Sequence, residues 1–209
     1  MNDREAAANL EVIRTLMERS ALYRRALGPA VLFAGLCGSL GGMFGPVFQE
    51  ASTRGFVLVW TAICALVWIR VFMLVRRQAR SDGDPLWSPP ARRIVRALLP
   101  AFVAGAAFGL AAWFEDDPSR APELVVTWIV LFGAGLLAAS FFLPPGVHRL
   151  GLVMLLLGIL LVLLLATLGD NPFRDPVRAA HGFMGLTFGL LQLVFGAWLL
   201  AAERRKSAP

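Results

Sequence analysis

Six apolar stretches, each free of Asp, Glu, Lys and Arg, fill most of the chain. They run Ala26–Gln49, Gly55–Ile69, Ala97–Phe114, Leu124–Val147, Leu150–Gly169 and Ala179–Ala202. A helix needs roughly 20 apolar residues to cross a bilayer, and five of the stretches reach or approach that length. The second is cut by Arg70 and resumes at Val71–Val75. The pattern predicts an all-α polytopic membrane protein with six transmembrane helices. The spans are expected over 26–48, 55–76, 95–114, 123–143, 149–169 and 179–202. A cytoplasmic or interfacial amphipathic helix is expected over 1–25, and a basic cytoplasmic tail over 203–209.

The charge distribution predicts the threading. Of 20 Lys and Arg, 16 fall on alternate sides of the spans: five before the first, seven around the second connection, Arg149, and three at the C-terminus. Only Arg54, Arg120, Arg174 and Arg178 lie in the other connections, beside Glu50, Glu115, Asp116, Asp117, Glu123, Asp170 and Asp175. Basic residues mark the cytoplasmic side, so both termini are expected inside, in a plasma membrane. A net charge of +6 arranged this way faces anionic lipid rather than nucleic acid. Membrane lipids are therefore the expected partners.

Residues 2–25 carry Leu10, Ile13, Leu16, Met17 and Tyr23 near helical spacing, with Glu11, Arg14 and Glu18 on the other side. Such a helix can lie on the inner leaflet or meet a cytoplasmic protein partner. The first apolar stretch is too long for a signal-peptide core, and a charged segment precedes it, so it is expected to stay in the mature chain. Arg80–Arg93 reads as a cytoplasmic loop from its Gly and Pro content. Pro29 and Pro100 read as first-turn residues of their spans, where a missing N–H is harmless. RALGPA at Arg25–Ala30 and RALLPA at Arg96–Ala101, each with a glycine nine residues after the proline, form a faint internal echo.

Polar residues inside hydrocarbon are the natural site candidates. Arg70 can snorkel toward headgroups or contact a solute inside the bundle. Gln192, in mid-span, can bond a neighbouring helix, with Thr61, Thr127, Thr187 and Ser140 as candidate partners, or line a pocket. His181 is expected at the outer boundary of the last span and His148 at the inner one. These are too far apart, and too poor in companions, for a metal centre or a bis-His haem. Arg70, Gln192 and His181 are thus the substrate-binding candidates. No catalytic, cofactor or metal residue is nominated, because P-loop, GxSxG, HExxH and paired carboxylates are missing from the sequence. Cys37 and Cys64 read as small packing residues. The GxxxG pairs Gly38/Gly42, Gly41/Gly45, Gly105/Gly109 and Gly185/Gly189 allow close helix approach and could serve a homo-oligomer. Trp60, Trp68, Trp113, Trp128 and Trp198 read as an aromatic belt.

Several segments together resemble a family of uncharacterised bacterial six-span membrane proteins. They are LEVIRTLMERS (Leu10–Ser20), RRIVRALLPAFVAGAAFGLAA (Arg92–Ala112), WIVLFGAGLLAASFFLPPGVHRLG (Trp128–Gly151) and FGLLQLVFGAWLL (Phe188–Leu200). The resemblance runs through nearly the whole chain in order and implies a plasma-membrane protein. It implies no activity. Related sequences often carry His where Gln192 stands, so a hydrogen-bonding side chain is kept here and titration near neutral pH is lost. The expected function is that of a non-enzymatic integral membrane protein acting through partner or lipid contacts. The alternative is a small-solute transporter or channel with a polar site at Arg70 and Gln192.

Overall fold

A computed structural model describes residues 27–47, 52–81, 89–168 and 172–207. The expected N-terminal amphipathic helix and the centre of the Arg80–Arg93 connection lie outside them. Every regular element among the described residues is helical. Six helices are long and apolar enough to cross a membrane. They are α1 (Leu27–Val47), α2 (Thr53–Ser81), α3 (Pro89–Glu115), α4 (Ala121–Ala139, entered by a 3-10 turn at Pro118–Arg120), α5 (Pro145–Leu168), and a sixth span. The sixth joins α6 (Pro176–Met184), a π-helical segment (Gly185–Leu191) and α7 (Gln192–Ser207).

The helices run up and down in chain order. One end of the bundle carries Ser52, Asp116, Asp117 and Asp175; the other carries Arg76, Arg77, Arg80, Arg92, Arg93, Arg96 and Arg149. At the acidic end, helix starts are capped by short polar side chains. Ser52 accepts the Gly55 N–H, Asp117 the Ser119 N–H, and Asp175 the Arg178 N–H, with Pro118 and Pro176 following two of these caps. A carboxylate there satisfies an orphan N–H and meets the positive end of the helix dipole. Accepting the Ser119 N–H also holds the Asp117 carboxyl below its usual range. Asp175→Ala should lower stability by about 1 kcal/mol, measured as an unfolding free energy in bicelles, and Asp175→Asn should recover most of it.

Side-chain size, not charge, decides which helices meet. α4 is the central helix, with α3, α5 and the sixth span packed around it. Gly133, Gly151 and Gly158 let α4 and α5 approach until backbones touch: a Cβ on Gly133 would lie 2.6 Å from the Leu155 nitrogen, and one on Gly151 would lie 3.0 Å from the Leu137 nitrogen. The outer surface is apolar throughout, with Leu160 61% and Val103 60% exposed in mid-span. Such a surface demands a lipid solvent, and helices are the form in which a backbone can enter one.

α2 runs through Arg70 as one 29-residue helix, longer at both ends than the span expected over 55–76. Two boundaries differ from the sequence reading in kind. Pro100 lies well inside α3 rather than in its first turn, because α3 already begins at Pro89. A proline there removes one backbone bond, and its ring crowds the Arg96 carbonyl one turn back. The arginine-rich residues before Ala97 thus extend the helix instead of forming loop. Likewise His148 and Arg149 belong to the first turn of α5, with His148 Nδ1 3.2 Å from Ser140 Oγ.

Candidate functional site

The sixth span concentrates the buried polar side chains. His181, Thr187 and Gln192 are all buried, at 0%, 2% and 5% exposure. The buried positions of this span are Val177, Ala180, His181, Met184, Thr187, Gly189, Gln192, Gly196 and Leu199. A π-helical segment at Gly185–Leu191 separates His181 from Gln192 along it. π turns of this kind are frequent at functional positions. Thr187 Oγ1 donates to the Phe183 carbonyl at 2.7 Å, giving that acceptor a second donor where the ladder changes pitch.

Glycine brings α1 against this face. Added Cβ atoms on Gly28, Gly35, Gly38, Gly42 and Gly45 would meet, in turn, Leu200, Leu193, Phe188, Gly185 and His181. As the first numbers rise the second fall, the signature of one antiparallel seam. At Gly42 the obstacle is the Gly185 backbone, and at Gly38 it is the Phe188 carbonyl. No side chain could yield there. Gly41 turns to the other side and seats Trp60 and Ile63 of α2. Gly105 and Gly109 on α3 seat the Trp128 indole, whose Nε1 donates to the Gly105 carbonyl at 2.9 Å. The glycines noted in the sequence as pairs are thus packed against other helices of the same chain.

His181 sits where α1, α2 and the sixth span converge. Its ring rests on Gly45 and makes an edge contact with Phe56, ring centres 4.9 Å apart. Trp60 Nε1 donates to His181 Nδ1 at 3.1 Å. That bond fixes Nδ1 as the acceptor, so a neutral imidazole carries its proton on Nε2. Nε2 is buried and makes no hydrogen bond among the described residues. Phe56 and Trp60 are themselves held in place by the first turn of α2. Thr53 Oγ1 donates to the Asp117 carbonyl at 2.7 Å. The Arg54 N–H donates to Asp116 Oδ1 at 3.1 Å, and Arg54 Nε donates to the Trp113 carbonyl at 3.0 Å and lies 3.3 Å from Asp116 Oδ2. Asp116 takes a left-handed backbone conformation, φ 49°, as it closes α3. Asp tolerates this better than most residues, and here its carboxylate also caps α2.

The three sequence candidates fall in different places. His181, expected at the interface, is buried, because Gly45 opposite it offers no side chain and Trp60 supplies a donor. Gln192 is buried as expected, but the hydroxyls proposed for it are committed elsewhere: Thr127, Thr187 and Ser140 each donate to a carbonyl on their own helix or turn. Thr61 faces outward. Arg70 is half-buried on α2 and lies over the Phe33 ring of α1, 5.8 Å from its centre. Gln192 packs near Gly35 of the same helix. Arg70 and Gln192 therefore share a depth on two helices flanking α1. No ion pair or hydrogen bond joins them among the described residues. Thr53, Trp60 and Trp128 were passed over as site residues. Their signal was faint: an indole about two turns into its span, as Trp60 and Trp128 are, reads as interface until its N–H is seen to be bonded. No protein-family model matches the chain, and no curated protein or solved structure is similar to it at a significant level.

Proposed function

We propose that the chain is an integral protein of the bacterial plasma (inner) membrane, with both termini cytoplasmic, that works without catalysis through lipid and cytoplasmic protein contacts. One observation carries the reading. Glycines bring α1 against the sixth span and α4 against α5 backbone to backbone, while the guanidinium groups of Arg76, Arg77, Arg80, Arg92, Arg93, Arg96 and Arg149 stand exposed at one end. The basic end supports the assignment of that side as cytoplasmic. The resemblance to bacterial six-span proteins supports the plasma membrane. A photo-crosslinking residue at Arg80, in living cells, should capture protein species that are lost when residues 2–20 are deleted. An unchanged crosslinking pattern would contradict the partner role.

A second reading, passage of a small solute, is favoured by the buried polar face of the sixth span. Purified protein in liposomes would then show solute flux that Gln192→Leu abolishes and Arg70→Ala reduces. Wild-type flux equal to protein-free liposomes across a solute panel would remove this reading.

A further inference from the structure

We infer that the basic ends of α2 and α3 together form a binding site for an anionic phospholipid carrying two phosphates. This rests on the proposal that the protein acts through lipid, and names the lipid class. Three arginines, Arg76, Arg77 and Arg80, occupy the last turns of α2; three more, Arg92, Arg93 and Arg96, occupy the first turns of α3. All six are exposed. The two helices are antiparallel neighbours, with Val57 against Gly109 and Trp68 in edge contact with Phe102, ring centres 5.1 Å apart. Continuing that register to the basic end sets Arg76 and Arg77 opposite Arg93 and Arg92. No Asp or Glu lies in α2, and none lies in α3 before Glu115. The connection adds only Asp82 and Asp84, leaving an excess of four positive charges over 76–96.

Like charges set opposite one another repel, and the site is relieved by an anion that bridges the two helices. Arginine is suited to this, because its planar fork engages phosphate oxygens two at a time and never loses its proton. The N-terminal end of α3 adds the favourable end of a helix dipole. A soluble phosphate would answer the charge alone. Below the arginines, however, both helices expose large apolar side chains: Ile69, Phe72 and Met73 on α2, Leu99 and Val103 on α3. Headgroup charge above and acyl-chain contact below describe a lipid. A lipid with two phosphates on one headgroup holds the second phosphate at high effective concentration once the first is bound.

The test is native mass spectrometry of the full chain in detergent, titrated separately with a diphosphatidylglycerol-type lipid, phosphatidylglycerol and phosphatidylethanolamine. Retention should fall in that order. Each arginine near a headgroup contributes about fivefold, so Arg77→Gln with Arg93→Gln should weaken the two-phosphate lipid by about 25-fold. Arg77→Lys with Arg93→Lys should fall between, and Arg178→Gln at the opposite end should match wild type. Equal retention of all three lipids, or an unaffected Arg77→Gln/Arg93→Gln variant that elutes as a monodisperse species, would overturn the inference. So would displacement of the lipid by millimolar pyrophosphate, which would assign the site to soluble phosphate. Because binding is read in detergent, it does not depend on which side of the membrane the arginines face, and its failure would leave the topology proposal standing.

Discussion

Gly42→Ala should destabilise the bundle by about 3 kcal/mol, the upper end of what overpacking typically costs. The reason is geometric. The new methyl would run into the Gly185 backbone across the seam between α1 and the sixth span. Backbone cannot rotate aside as a flexible side chain can, so one helix must move away along its length. The loss would carry to Gly38 and Gly45, whose contacts depend on the same approach. Gly182→Ala is the matched control, since nothing lies within 4 Å of a Cβ there; alanine's better helix propensity should leave it neutral or slightly more stable. Unfolding free energies by steric trapping in bicelles would separate the two. If Gly42→Ala and Gly182→Ala behave alike, the seam is not where the structure puts it.

The second large effect is expected at His181. His181→Ala should cost about 4 kcal/mol, because it opens a cavity beside Phe56 and leaves the Trp60 N–H buried without an acceptor. His181→Phe keeps most of the ring volume and isolates the second term, at about 2 kcal/mol. Trp60→Phe removes the donor. Combining His181→Phe with Trp60→Phe should be less destabilising than the sum of the single changes by about 1 kcal/mol, since neither partner is then left unpaired. Strict additivity would mean that the Trp60–His181 bond does not hold α2 to the sixth span.

The class and the number of spans could be read from the sequence because hydrocarbon imposes a length and a polarity that composition records directly. The site was harder to read. Gln192 was recognisable as buried from its place amid Phe188–Leu200, but His181 was not. Six residues from Asp175, it looks like a boundary residue until α1 is known to present Gly45 to it. The π segment was equally hidden, because Gly185–Leu191 is as apolar and glycine-rich as the regular helix on either side of it. Pro100 misled for a related reason. Membrane propensity sets where a span enters hydrocarbon, not where its helix begins, and α3 starts more than two turns earlier. The echo between Arg25–Ala30 and Arg96–Ala101 does not extend to packing, since Gly38 meets the sixth span whereas Gly109 meets Trp128 and Val57.

The proposed topology is a six-span bundle whose arginine-rich end faces the cytoplasm. Single cysteines at Ser81, Ser119 and Ser207, in a chain lacking Cys37 and Cys64, test it most directly with a membrane-impermeant thiol reagent. In intact spheroplasts this topology gives labelling at Ser119 and protection at Ser81 and Ser207, with the reverse in inverted vesicles. Labelling of Ser81 and Ser119 from the same side, or of Ser207 from outside, would contradict it.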